Sequence, residues 1–300
     1  MDYTKNLNLK KLQKSDHFDL TDFNENFDKI DRLANLTRPD QQAALRNNDF
    51  RGDDLFIRGL TMEDIYSRIA DGSFEDIYVG DYIPISGTFT APTPSGGTQS
   101  VSYSTKLRVA GINTYLATGA TLFDTQHIVM IPDDILLISV MNSTATAEGG
   151  YFFTFFRTKI APVLKTHFAE KFGDHLLTRS VLISNGISAT AASMAGAGMV
   201  GCSNSSEFSN ETVMLPSEIE LFGCTLCGSS NIDIGTANRQ LPLFRLAPEY
   251  VTKQRQYYWL SAVADKTRFV FVDADGACSY TDANYFQNIG VRPILVIGGD

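Results

Sequence analysis

Tyr257-Tyr258-Trp259-Leu260 and Ile294-Leu295-Val296-Ile297 are two unbroken apolar, β-prone runs that bracket the C-terminal part of the chain. Each is long enough for a buried strand. Between them stands a third strand-like run, Arg268-Phe269-Val270-Phe271-Val272, and after it a polar and aromatic segment from Asp273 to Asn288. The runs predict framework, and the segment predicts a displayed surface. Trp259 is the single tryptophan of the chain, and one large aromatic at the entrance to such a unit predicts a core anchor. Arg292 is flanked by apolar strand residues, so it is expected to be partly buried and to need a carboxylate. Glu218 and Glu220 are the expected partners.

Outward from this unit, the 300 residues permit one large domain or two ordinary ones. Hydrophobic residues make up 43% and charged residues 20%, which predicts a sizeable core rather than disorder. The formal charge of -9 argues against nucleic acid, whose phosphates it would repel. No apolar run reaches membrane-spanning length and the N-terminus lacks a signal-peptide core, so synthesis in a cytoplasm without membrane insertion is expected.

In chain order, Leu20, Phe23, Phe27, Ile30 and Ala34 recur at intervals of three, four, three and four residues. That spacing is the seam of an amphipathic helix and also of two coiled-coil heptads. It fits a helix packed on its own domain or a bundle between subunits. Nothing adjacent in sequence offers a core to cover the two phenylalanines, so the bundle is the expectation, with a trimer as its form. Residues 35 to 58 read as a linker, and Thr61 to Asp64 open a short helix with a capping-box pattern that Asp71-Gly72 stops. Strands are expected between Ile77 and Ile85, over Ser102 to Ile112 and over His127 to Ile131. Ala161 to Phe172 is the strongest helix, with Pro162 in its first turn and Gly173 at its end. The run from Ser188 to Ser206 reads as a loop. The organisation predicted is an arm and attachment helix over 1–34, a linker and short helix over 35–74, and a body over 75–300.

Several chemical motifs fail their own tests. Gly196, Gly198 and Gly201 match G-x-G-x-x-G, yet no strand leads in and no helix follows, so no helix N-terminus awaits a pyrophosphate. The four histidines His17, His127, His167 and His175 are scattered, and there is no H-E-x-x-H or nucleophile elbow. His167 and His175 share a helix face only if the helix runs through Gly173. Cys224 and Cys227 have CxxC spacing, but no second pair completes a zinc site, so they read as buried free thiols. Asp273-Ala274-Asp275-Gly276 opens like a calcium loop but has Cys278 and Asn284 where an EF-hand needs Gly and Glu. A looser site from Asp273, Asp275 and Asp282 stands beside the plainer reading of an Asp-Gly turn. No metal and no cofactor are expected.

The Trp-Leu strand, the polar stretch with Gly and Tyr, and the closing Gly290-Val291-Arg292-Pro293 strand resemble the end of a C-type-lectin-like domain. The subtype is that of formylglycine-generating enzymes and of the variable proteins of diversity-generating retroelements. Met214 to Gly223, with Leu215-Pro216-Ser217-Glu218, resembles that family's Leu-Pro-Thr-Glu helix start, and Thr236 to Phe244 is similar to segments in tail-fibre and receptor-binding proteins of phages of Gram-positive hosts. The resemblance covers roughly residues 75 to 300. It implies an α+β fold, with short antiparallel strands and irregular loops, preceded by the helical segment. The enzymes of this family carry a reactive cysteine pair near the C-terminus. After residue 230 this chain has only Cys278, so that catalytic pattern does not carry over and no enzyme is expected.

What the resemblance implies is a virion receptor-binding or tail-fibre protein, built into a phage tail or baseplate and displaying a lectin-like surface to a host glycan or protein. The alternative is a structural baseplate or capsid-decoration protein with no host ligand. The expected receptor contacts are Tyr280, Asp282, Asn284 and Tyr285, with Arg268, Asp273 and Asp275 at the rim. Aromatics there offer contact area at low entropic cost, and short polar groups offer adaptable hydrogen bonds.

Overall fold

A fully apolar run makes a stable strand when both of its faces find cover. The computed structural model describes residues 2–3, 10–11, 39–187, 203–228, 240–252, 254–285 and 287–299. Along these run α1 (Pro39–Arg46), α2 (Met62–Ala70), β1 (Tyr82–Pro92), β2 (Thr98–Ile112), β3 (His127–Pro132), β4 (Leu137–Ile138) and α3 (Ala161–Phe172). There follow β5 (Arg179–Ile187), β6 (Ser203–Glu211), β7 (Val213–Met214), α4 (Glu218–Phe222) and α5 (Pro242–Leu246). The C-terminal unit holds β8 (Tyr257–Val263), β9 (Arg268–Val272), β10 (Cys278–Asp282), β11 (Ile289–Val291) and β12 (Ile294–Gly298). Two five-stranded sheets form, in spatial order β1-β2-β3-β12-β7 and β10-β9-β8-β11-β4, beside a β5-β6 ribbon. All neighbours within the two sheets are antiparallel except β8 and β11. The class is α+β.

Successive strand residues point to opposite faces, and here they enter two different cores. Ile128 and Met130 of β3 and Leu295 and Ile297 of β12 join the core that contains Leu164 and Phe168 of α3. Val129, Ile131, Ile294 and Val296 join the second core, with Leu221 of α4 and Leu243 and Phe244 of α5. β8 divides the same way, Trp259 and Val263 to the first core and Tyr258 and Leu260 to the second. Trp259 is fully buried, and its indole Nε1–H donates to the carbonyl of Ser139 at 2.8 Å. The core anchor is where it was expected. The chain's last strand lies inside the first sheet, paired with β3 on one side and β7 on the other.

The strong local signals hold. α2 starts with a complete Thr61–Asp64 capping box and ends before Asp71, and α3 spans Ala161–Phe172 with Gly173 at φ +57°. Because that helix stops, His167 and His175 part company. His167 Nε2 meets the Tyr103 hydroxyl at 2.8 Å, while His175 stacks on Tyr66.

The boundary readings need correction. Residues 35 to 58 are not a plain linker over their described part. Pro39 opens α1, since proline fits the first helical turn and a Gln/Ala-rich run continues it. Phe50 and Asp54 bridge Val79 and Tyr82, and the buried carboxylate of Asp81 accepts the Asp53 N–H and pairs with Arg58 at 3.1 Å. Ala43, Leu55, Ile65, Ile69 and Phe74 lie in the first core itself, so the chain from α1 onward belongs to the body rather than preceding it. The strand expected over Ser102 to Ile112 starts earlier, because β1 pairs with β2 out to Pro92↔Thr98. Of the loop expected at 188–206, residues 203–206 belong to β6. The Gly196–Gly201 motif and the attachment helix, with Leu20, Phe23, Phe27 and Ile30, lie outside the described residues.

Candidate functional site

The β9–β10 hairpin forms the outer edge of the second sheet. Its register, Arg268↔Asp282, Val270↔Tyr280 and Val272↔Cys278, puts these six on one face, and Phe269↔Thr281 and Phe271↔Ser279 on the other. The first face turns toward the second core, where Val270 and Val272 are buried and Cys278 and Tyr280 are partly so. Tyr280 is therefore divided: its ring packs on the core, while the Arg268 guanidinium lies 4.9 Å from the ring centroid. Arg268 is held by Asp265 at 2.6 Å. Asp282 and Asn284 are exposed and Tyr285 is 38% exposed. Phe286 lies outside the described residues.

The seven expected contact residues do not form one cluster. Arg268, Asp282, Asn284 and Tyr285 gather at one end of the hairpin, and Asp273 and Asp275 sit in the turn at the other. The four steps of β10 between them span about 13 Å. Asp273 also has a local task, accepting the N–H groups of Asp275 and Ala277 at 2.9 Å each and holding a turn that needs Gly276 at φ +86°. A shared calcium site from Asp273, Asp275 and Asp282 is corrected by this separation. At the turn end an open groove of about 620 Å³ runs past Asp275 and Gly276, with Leu221 and Phe244 among its apolar lining and Arg245 and Glu249 among its charged lining.

Arg292 is buried, as expected, but its partners are corrected. Its Nε donates to the Pro132 carbonyl at 2.7 Å and its Nη1 to the carbonyls of Tyr250 and Val251. Among the described residues no carboxylate takes part. Pro132 ends β3 and Tyr250 and Val251 lie in a short 3-10 helix, and the guanidinium bridges their carbonyls. The glutamates of α4 have other work. Glu220 closes the capping box on Ser217 and accepts the Tyr115 hydroxyl at 2.5 Å, with Arg179 at 3.5 Å. A buried arginine does meet an α4 carboxylate, Glu220, but it is Arg179, whose guanidinium also stacks 3.7 Å from the Tyr115 ring.

Glu218, fully buried, accepts the backbone N–H groups of Leu226, Cys227 and Gly228 at 3.3, 2.7 and 2.9 Å. It thereby folds the loop after α4 back onto the helix start. Gly228 has to be glycine there, since a Cβ would stand 2.7 Å from Glu218 Oε2. The fold brings Cys278 of β10 to the same place: its Sγ lies 3.1 Å from Glu218 Oε1 and 3.6 Å from Cys227 Sγ. Cys278 has no cysteine near it in sequence, and the edge register nevertheless sets it against Cys227, 51 residues away. The reading of the CxxC as two buried thiols holds for Cys227 and fails for Cys224, which is exposed. A usable signal was present, because Cys278 sits two residues from Tyr280 on the strand face opposite Val272.

His127 is buried with both ring nitrogens engaged. Nδ1 faces the Thr125 carbonyl at 2.8 Å and Nε2 accepts the Tyr115 N–H at 3.1 Å. Burial, with the nearby Arg179 charge as a smaller cause, pulls its pKa from 6.5 to about 4. This is a neutral structural histidine. No family model matches the chain, and comparison with curated proteins and with solved structures finds no match.

Proposed function

We propose that the body is a C-type-lectin-like domain and that the chain is a receptor-binding protein of a phage particle. The lectin-like reading is supported by the C-terminal strand set inside the first sheet and by the capped Leu-Pro-Ser-Glu helix start. The buried single tryptophan and the Gly-Val-Arg-Pro turn into β12 agree with it. The recognition reading is carried by one observation. On an edge hairpin backed by two cores, Asp282, Asn284 and Tyr285 are exposed, and the side chains of Asn284 and Tyr285 make no hydrogen bond to the described residues. Rigid backing with uncommitted polar and aromatic groups suits a binding surface. Sugar rings stack on such aromatics, and Asp and Asn exchange hydrogen bonds with hydroxyls. The contact set is Tyr280, Asp282, Asn284 and Tyr285 with Arg268 beside them. Asp275 lines the groove at the far end, and Asp273 holds the turn beside it.

The test is adsorption of particles carrying Tyr280→Ala with Asn284→Ala, measured beside the thermal midpoint of the purified chain. Because Tyr280 is partly core, Asn284→Ala with Tyr285→Ala serves as the second pair. Adsorption lost by the second pair, with an unchanged midpoint, supports recognition. Full adsorption by both pairs with a stable fold overturns it and favours a structural role in the particle.

A further inference from the structure

We propose that Cys227 and Cys278 form a reversible disulfide that pins the edge strand β10 to the loop after α4. The two sulfurs come from positions 51 residues apart and stand 3.6 Å from one another, in van der Waals contact. Bond formation at about 2.05 Å requires them to close by about 1.5 Å, which side-chain rotation with a small loop shift supplies. The loop that carries Cys227 is held by backbone hydrogen bonds to Glu218, so the pair is presented by structure rather than by chance approach.

A metal centre fits these groups less well. Glu218, the third potential ligand, already has both carboxylate oxygens occupied by N–H donors, and Oε1 faces the Cys278 thiol as well. The cluster contains two sulfurs, one carboxylate and no fourth ligand among the described residues, whereas a structural zinc takes four. What remains is a thiol pair with a proton acceptor beside it.

The chemistry balances with hydrogen peroxide as oxidant. The Cys227 sulfur attacks one peroxide oxygen and the O–O bond breaks. Cys227 becomes the sulfenic acid, and one water leaves with the former thiol proton. Cys278 then attacks the Cys227 sulfur, the S–O bond breaks, and a second water carries away the Cys278 proton by way of Glu218. Two thiols are oxidised by two electrons, and one peroxide is reduced to two waters. The order of events follows the hydrogen bond between the sulfurs. It favours the thiolate on Cys227 and, together with burial, holds the proton on Cys278.

The experiment uses the full chain, treated with hydrogen peroxide or with a dithiol reductant. Peptide mapping by mass spectrometry is expected to find a Cys227–Cys278 cross-linked peptide, two hydrogen masses light, that the reductant reverses. The oxidised chain is expected to melt higher by on the order of 5–10 °C, as closing a loop of this length predicts. Cys278→Ser abolishes both effects and Cys224→Ser leaves both intact. The mapping needs no variant, so a substitution that fails to fold does not remove the test. Overoxidation of Cys227 without a cross-link overturns the proposal, as does a cross-link to Cys202 or Cys224. So does a stoichiometric metal ion in the purified chain that blocks the oxidation.

Discussion

At the residue scale, buried charge and buried hydrogen-bonding capacity decide where side chains go. Arg292 was expected to seek a carboxylate because an isolated buried cation is costly. Its three carbonyl contacts answer the same need with partial charges, a solution invisible in sequence because carbonyls carry no letter. His127 gives a pH prediction with a worked sign. Its pKa is about 4 in the folded chain against 6.5 when unfolded. Above pH 6.5 neither state binds the proton, so its contribution is flat. Between pH 6.5 and 4 the unfolded state binds more protons, so stability falls as pH falls. The loss reaches on the order of 3 kcal/mol by pH 4. An NMR titration of the native imidazole is expected to leave His127 neutral down to about pH 5. A midpoint near 6.5 would mean that Nε2 is not committed to the Tyr115 N–H.

At the element scale, α4 has only five residues, too few to stand on helical propensity. Its Ser217 cap accepts the Glu220 N–H at 3.2 Å while Glu220 Oε2 accepts the Ser217 N–H at 2.7 Å. That reciprocal pair also aims Glu220 at Tyr115 and Arg179. Ser217→Ala is therefore expected to cost about 1–2 kcal/mol in chemical denaturation, the upper part of the range for caps, because the site is buried. The exposed Thr61 cap of α2 is the control, with Thr61→Ala expected near 1 kcal/mol. Equal costs at both sites would show that the buried Glu220 network adds nothing to the cap.

At the scale of the whole molecule, the two cores are assembled among residues 43 to 297 of the described chain. A chain lacking residues 1–34 keeps every contact made among the described residues of those cores. With the trimer expected from the Leu20, Phe23, Phe27 and Ile30 seam, this deletion is expected to leave the thermal midpoint within a few degrees. Sedimentation is expected to shift from trimer to monomer. A full-length chain that sediments as a monomer would overturn the trimer expectation and favour the other reading of the seam, a helix packed on its own domain.

The residues by themselves determined whatever depends on neighbours in the chain. The capping box at Thr61, the α3 span Ala161–Phe172, the apolar strands and the burial of Trp259 all follow from local spacing and from the cost of exposing large apolar groups. Only the tertiary structure decided matters of register and long-range pairing. The β9–β10 register separates Asp273 from Asp282, the path through α1 and Asp81 folds an apparent linker into the core, and Arg179 reaches Glu220 in place of Arg292. The same register sets Cys278 against Cys227 across 51 residues. The physical reason is that short-range preferences are written residue by residue, whereas the partner of a buried polar group is whichever satisfied donor or acceptor the packing of two cores brings within about 3 Å.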